Sequence, residues 1–106
     1  MQKINIKPLS VNEAWQGRRF KTPKYTKYEK DMLILLPNNI TIPKDNIKLF
    51  IEFAFSNSAS DIDNCLKPFI DCLQKKYGFN DKLINELDVR KIKVSKGYEH
   101  IIFEFR

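Results

Sequence analysis

The stretch Ile47-Lys48-Leu49-Phe50-Ile51-Glu52-Phe53-Ala54-Phe55 decides the fold. Ile47, Leu49, Ile51, Phe53 and Phe55 alternate onto one face, while Phe50 and Ala54 put apolar side chains on the other. A strand that is apolar on both faces belongs in the middle of a sheet. Ser56 to Ser60 then reads as a polar turn. A helix follows to about Tyr77, with Leu66, Phe69, Ile70 and Leu73 as its apolar stripe and Gly78 as its cap. Leu87–Val94 and Tyr98–Phe105 read as two more strands, joined as a hairpin through Ser95-Lys96-Gly97. Toward the N-terminus, Gln2–Lys7 reads as an edge strand closed by Pro8. Residues 9–25 carry Ser10, Asn12, Gly17 and Pro23 without a clean period and read as loop. Thr26–Leu36 reads as a helix with Thr26 as N-cap and Glu29 completing a capping box, ended by Pro37. The order predicts an α+β fold: one domain over residues 1–106, a four-stranded mixed sheet with helices on one face.

Composition narrows the chemistry. The chain has 106 residues, 42% of them hydrophobic, enough for one core without a disulfide framework. Its one histidine, His100, excludes HExxH and Cys/His zinc sites. Gly17, Gly78 and Gly97 lie too far apart for a P-loop or a GxGxxG turn. No GxSxG elbow accompanies His100, which argues against a triad hydrolase. On a helix, Cys65 and Cys72 would stand roughly 10 Å apart. A disulfide needs Cα atoms within about 7 Å, so free thiols and a reducing cytoplasm are expected. The Met1-Gln2-Lys3 start leads into no signal-peptide core. The longest apolar run, Met32 to Leu36, is too short to span a membrane.

The net charge of +6 is unevenly placed. Residues 1–30 hold eight bases against Glu13 and Glu29, whereas residues 31–106 hold eleven of each sign. The excess includes Arg18, Arg19, Lys21 and Lys24, with Trp15, Phe20, Tyr25 and Tyr28 interleaved. Cations for phosphates and flat rings for bases or sugars are what a nucleic-acid groove requires. A solvated basic loop would have the same composition.

Asp61-Ile62-Asp63-Asn64 carries the chemistry. Pro68 is best tolerated in a first helical turn, which places Asp61 and Asp63 before the helix in extended or turn geometry. Residues i and i+2 of an extended segment point the same way, so the pair can converge on one point. In a helix they would diverge by about 200°. Converging carboxylates repel unless a cation joins them or one is protonated, and all-carboxylate ligation selects hard cations, Mg²⁺ or Mn²⁺. The alternative is helix capping, with Asp63 as the cap. Lys67 follows Asp63 by four residues and can make a surface ion pair or hold a phosphate or developing oxyanion. Asp71 reads as solvated. Asp81, in Gly78-Phe79-Asn80-Asp81, sits unfavourably near a helix C-terminus, although an Asn-Asp turn explains it equally well. Glu52 and Glu86 read as rim acids.

Taken in order, Asp61-Ile62-Asp63-Asn64-Cys65-Leu66-Lys67-Pro68, Asp71-Cys72-Leu73, Gly78-Phe79-Asn80-Asp81 and Glu86-Leu87-Asp88-Val89-Arg90-Lys91 resemble the RusA family of Holliday-junction resolvases, small endodeoxyribonucleases of bacteria and their phages. Pro8-Leu9-Ser10-Val11-Asn12 and the basic stretch after it extend the likeness over most of the chain. The resemblance implies essential aspartates at Asp61, Asp63 and Asp81, a catalytic lysine at Lys67, Mg²⁺ dependence, branched DNA as substrate and a homodimer acting inside the bacterial or infected cell. Members often carry two acids at the later site. Here the first is Asn80, which leaves three carboxylates.

A metal-dependent junction nuclease is therefore the leading expectation. A non-catalytic nucleic-acid-binding module and a small ribonuclease are the alternatives. Strand nicking separates the first from the second, and a four-way DNA against an RNA hairpin separates it from the third.

Overall fold

The computed structural model describes residues 1–16, 20–57 and 61–106. The elements are β1 (Gln2–Ile4), α1 (Val11–Ala14), β2 (Trp15–Gln16), β3 (Phe20–Lys21), α2 (Pro23–Leu35), β4 (Ile47–Phe55), α3 (Ile62–Tyr77), a 3₁₀ turn (Asp81–Leu83), β5 (Ile84–Lys93) and β6 (His100–Phe105). Four strands form a mixed sheet in the order β1-β6-β4-β5, and β2 and β3 form a separate small ribbon. The expected α+β architecture is present.

Strand β4 occupies the middle, with both edges paired. β5 runs parallel on one side, with Leu49 opposite Leu87 and Ile51 opposite Val89. β6 runs antiparallel on the other, with Ile51 opposite Phe103. The expected hairpin between the last two strands is therefore absent. Crossing over through α3 brings β5 to one edge of β4, and only the opposite edge remains for β6. The 94–99 link rounds the end of β4: Val94 N–H donates to the Phe55 carbonyl at 2.7 Å, and Gly97 turns at φ 97°. Exposed charges at Glu86, Asp88, Arg90, Lys91 and Lys93 mark β5 as an edge strand and discourage further pairing.

Helix α3 lies on the inner face of the sheet. Phe69 meets Phe53 edge-on at 6.0 Å and Phe103 at 5.6 Å, and Cys65, Cys72 and Leu73 join the same core. The expectation that Pro68 opens the helix fails: it is fully buried inside α3 rather than in its first turn. The helix accepts the lost hydrogen bond because the ring fills core space. On the outer face, Phe50 is covered by the guanidinium groups of Arg90 and Arg106, 5.3 and 4.9 Å from its ring centre.

Helix α2 begins earlier than expected. Thr22, not Thr26, is the N-cap: its hydroxyl accepts from Tyr25 N–H, and Pro23 opens the first turn with its φ already helical. The loop expected over residues 9–25 contains α1 and the β2–β3 ribbon as well. The edge strand expected over Gln2–Lys7 ends at Ile4, where Ile6 N–H turns back onto the Ile4 carbonyl. Tyr25 and Tyr28, placed among the nucleic-acid-facing rings by their spacing, are buried core residues. Cys65 and Cys72 are free and buried, and burial pushes their thiols up to about 11 and about 12, so neither is an activated nucleophile.

Glu29, expected in a capping box, instead receives Lys21 at 2.9 Å and Lys75 at 2.8 Å, tying β3 and α3 to α2. Burial alone would raise its carboxyl, but the hydrogen bonds from Lys75 and Lys21 outweigh that and hold it below its ordinary value of 4.5. A carboxylate lowered by folding stabilises the native state above its unfolded value and loses that contribution as pH falls. Glu29→Gln should therefore lower the urea midpoint at pH 7, and the gap from wild type should close as pH falls below about 4. Paired urea titrations at the two pH values check this; a gap that persists in acid would mean the loss is packing rather than charge.

Candidate active site

The sequence-predicted acids sit at the start of α3 and just past its end. Asp61 is the N-cap residue, extended at φ −90° and ψ 144°, yet its side chain makes no capping bond. Asn64 Nδ2 approaches its carboxylate at 3.4 Å. Asp63 lies inside the first helical turn and is exposed. This corrects the extended Asp-x-Asp geometry: the helix begins at Ile62, so the two carboxylates diverge around its N-terminus. Capping does not consume either one. Both lie at the positive end of the α3 dipole, where negative charge is favoured.

The divergence sends them to different concavities. Asp63, Lys67 and Asp81 line a cleft of about 350 Å³ between α3 and the start of β5, and Glu86 lines it too. Asp61 lines a neighbouring cavity, also about 350 Å³, with Ser10, Asn12 and Glu13. Among the described residues, no three His, Cys, Asp or Glu side chains are grouped closely enough to hold one metal ion. The donor chemistry itself fits a hard cation, since every charged candidate is an exposed oxygen ligand.

Lys67 does not pair with Asp63. Its ammonium donates to Asp71 at 2.8 Å, one turn further along. That hydrogen bond, with the charges of Asp71 and Asp81, outweighs desolvation and holds the Lys67 ammonium above its ordinary value. A lysine in this state is a fixed cation for a phosphate or oxyanion and a poor general base. Asp71 also receives Gln74 Nε2 at 3.4 Å, and Gln74 Oε1 accepts from the Asp81 backbone N–H at 2.9 Å. A polar chain thus runs along one face of α3 from Lys67 to the segment bearing Asp81. Sequence reading passed over Asp71 as solvated and did not consider Gln74. Their i, i+4 and i, i+3 spacing from Lys67 and Asp71 was the available signal.

The Asp81 segment is held from both sides. Phe79 meets Phe105 edge-on at 5.6 Å, and Tyr77 does so at 6.1 Å. Asn80 caps the 3₁₀ turn by accepting from Lys82 N–H at 3.0 Å. The residue that stands where a second acid was expected therefore has a structural task.

Of the basic segment, Lys21 lies in β3, whose register sets Trp15 opposite Lys21 and Gln16 opposite Phe20, and Lys24 lies in the first turn of α2. Arg18 and Arg19 lie outside the described residues. Lys21 pairs with Glu29 and stands 5.0 Å from the Tyr25 ring centre; Lys24 pairs with Glu13 at 3.6 Å. Phe20 is 70% exposed beside them. His100 spends its Nδ1 on the Tyr98 carbonyl at 2.9 Å.

An α+β sheet thus carries, along one face of its packed helix, exposed acids and a lysine beside an open cleft. The family model for endodeoxyribonuclease RusA matches residues 7–102, nearly the whole chain. The chain belongs to that family, of endodeoxyribonucleases that resolve Holliday junctions. No curated protein matches it closely. No helix among the described residues is long and apolar enough to cross a membrane.

The Lys67–Asp71 contact has a titration consequence. Asp71→Asn removes the charged partner that raises Lys67, so the Lys67 ammonium should titrate at lower pH, and any alkaline fall in the cleavage rate should move down with it. A ¹³Cε titration of Lys67 beside a pH–rate profile measures both. Unchanged titration in the variant would remove Asp71 from this role.

Proposed function

We propose that this protein is a metal-dependent endonuclease that resolves four-way DNA junctions by paired nicks, in recombination and repair inside a bacterial or phage-infected cell. The supporting observation is that Asp63, Lys67 and Asp81, from different turns of the chain, open into one cleft in a chain of the RusA family. Asp63 and Asp81, which share the cleft, are the residues that would hold Mg²⁺, with Mn²⁺ as a substitute and water completing the shell; Asp61, which lines the adjoining cavity, joins them only with a rearrangement at the start of α3. Bound there, the ion supplies Lewis-acid polarisation of the phosphate and a more acidic water. Lys67 holds the charge that builds on the phosphate oxygens, and Asp71 positions its ammonium. Gln74 holds the backbone of Asp81 in register with Lys67. Arg18, Arg19, Lys21 and Lys24 bind phosphates near the branch point. The chain works as a single domain, and a two-fold homodimer matches the symmetry of two nicks in one junction.

Asp63→Asn deletes a ligand and a repelling charge at once. It should abolish nicking of a synthetic four-way junction in Mg²⁺ while leaving junction affinity equal or tighter. Ca²⁺ or EDTA should likewise stop cleavage by the wild type. Undiminished nicking by the variant, or robust nicking in EDTA, would sink the metal reading. Binding without nicking under every metal condition would favour a non-catalytic binding module.

Replacing Arg18, Arg19, Lys21 and Lys24 together by Ala should flatten the dependence of log K on log salt by up to about 3–4 units, since each neutralised phosphate contributes about −0.9. Lys21 and Lys24 must exchange their carboxylate partners for phosphate, so the lower part of that range is expected. Coincident slopes would place the clamp elsewhere, with Lys75, Lys76, Lys82 and Lys91 the next residues to replace.

A further inference from the structure

The start of β5 is irregular at the cleft. Ile47 pairs with Ile84, but Lys48 pairs with Glu86, so Asn85 is an extra residue bulged out of the ladder. Bulges commonly re-aim a side chain beside a functional site. Opposite it stands Asn46, the one described non-glycine residue with positive φ, at 49°. Asparagine tolerates this conformation better than most residues, though at some cost. Asn85 Nδ2 donates to Asn46 Oδ1 at 2.6 Å. The bond orients the Asn85 amide, leaving its carbonyl oxygen and its second N–H to make further contacts. Asn85 lines the same cleft as Asp63, Lys67 and Asp81.

Beside the amide the cleft is apolar. Leu66 and Ile70 of α3 face Ile84 and Leu87 of β5, and Leu87 is 42% exposed. The cleft volume of about 350 Å³ falls in the range of small-ligand sites. Charged groups for a phosphate, an apolar wall for a ring and one oriented amide for a base edge thus share one concavity. An amide held before binding loses less freedom on binding, which favours recognition over mere contact.

We infer that Asn85 and the Leu66–Leu87 wall form a nucleobase subsite that reads the base next to the cut phosphate, with Asn46 as the residue that positions Asn85. The inference rests on the nuclease reading for the identity of the neighbouring phosphate. An unstacked base at a branch point lays its face on the apolar wall and offers its edge to the amide. A well-placed bidentate contact of this kind discriminates between bases by roughly tenfold or more.

The test uses four-way junctions that differ only in the bases flanking the mapped nicks. The wild type should favour one base by roughly tenfold. Asn85→Ala should flatten that preference while still binding junctions. Asn46→Gly, which accepts the backbone conformation but removes the amide partner, should give an intermediate profile. In parallel, 2-aminopurine at the favoured position, bound by Asp63→Asn protein, should change its emission, and Leu87→Ala added to that protein should reduce the change. A wild type indifferent to base, or an Asn85→Ala profile identical to wild type, would overturn the subsite while nicking itself upheld the nuclease. An emission change that depends on Leu87 would support the subsite even if no DNA were nicked, and an emission unaffected by binding would overturn it.

Discussion

The edge-to-face stacking of Phe69 on Phe53 and Phe103 is the contact on which the rest of the structure depends. It presses α3 onto the two inner strands of the sheet and fixes the rotation of the helix about its axis. With Phe69, Cys72 and Leu73 turned inward, the stripe bearing Asp63 and Lys67 is necessarily turned out toward β5. The cleft follows from core packing. A second aromatic group, Tyr77 and Phe79 on Phe105, secures the far end of the helix and the chain leaving it, which carries Asp81.

On this frame the electrostatics divide by burial. The interior is closed to charge: no charged residue is buried among those described, and the two thiols are raised rather than activated. The exposed face of α3 does the opposite. There Lys67, Asp71 and Gln74 link in sequence and end on the backbone of Asp81. Three side chains on consecutive turns can act together because the helix beneath them is anchored. The cation is thereby held by Asp71 at the rim of a cleft that it shares with Asp63, Asp81 and Glu86.

The parallel β4–β5 pair shapes the other wall. Its ladder is regular from Lys48 onward, and the irregularity is confined to the end that meets the cleft. A bulge and a left-handed asparagine at the same point are both departures from the cheapest backbone, and one hydrogen bond joins them. The structure thus concentrates its local exceptions where the chemistry-bearing residues gather, while the ladders away from that end stay regular.

The residues themselves determined a good deal. Apolar side chains on both faces of Ile47–Phe55 required a central strand, and the stripe from Leu66 to Leu73 required a helix packed on it, because hydrophobic periodicity is local and the burial it demands is not negotiable. The acids, the lysine and the family signature were legible for the same reason: side-chain identity is written in the chain. What was not legible depended on competition between distant segments. Pro68 inside α3 could be tolerated only because a core existed to receive it, so the helix began early and Asp61 and Asp63 diverged. Thr22 displaced Thr26 as the cap because Pro23 was better placed to open the helix. Most of all, whether β5 paired with β6 or with β4 was settled by which edges of the central strand remained open once α3 had crossed over. That choice, made by packing and not by the turn residues between the strands, brought Asn85 and Leu87 to the cleft that Asp63, Lys67 and Asp81 share.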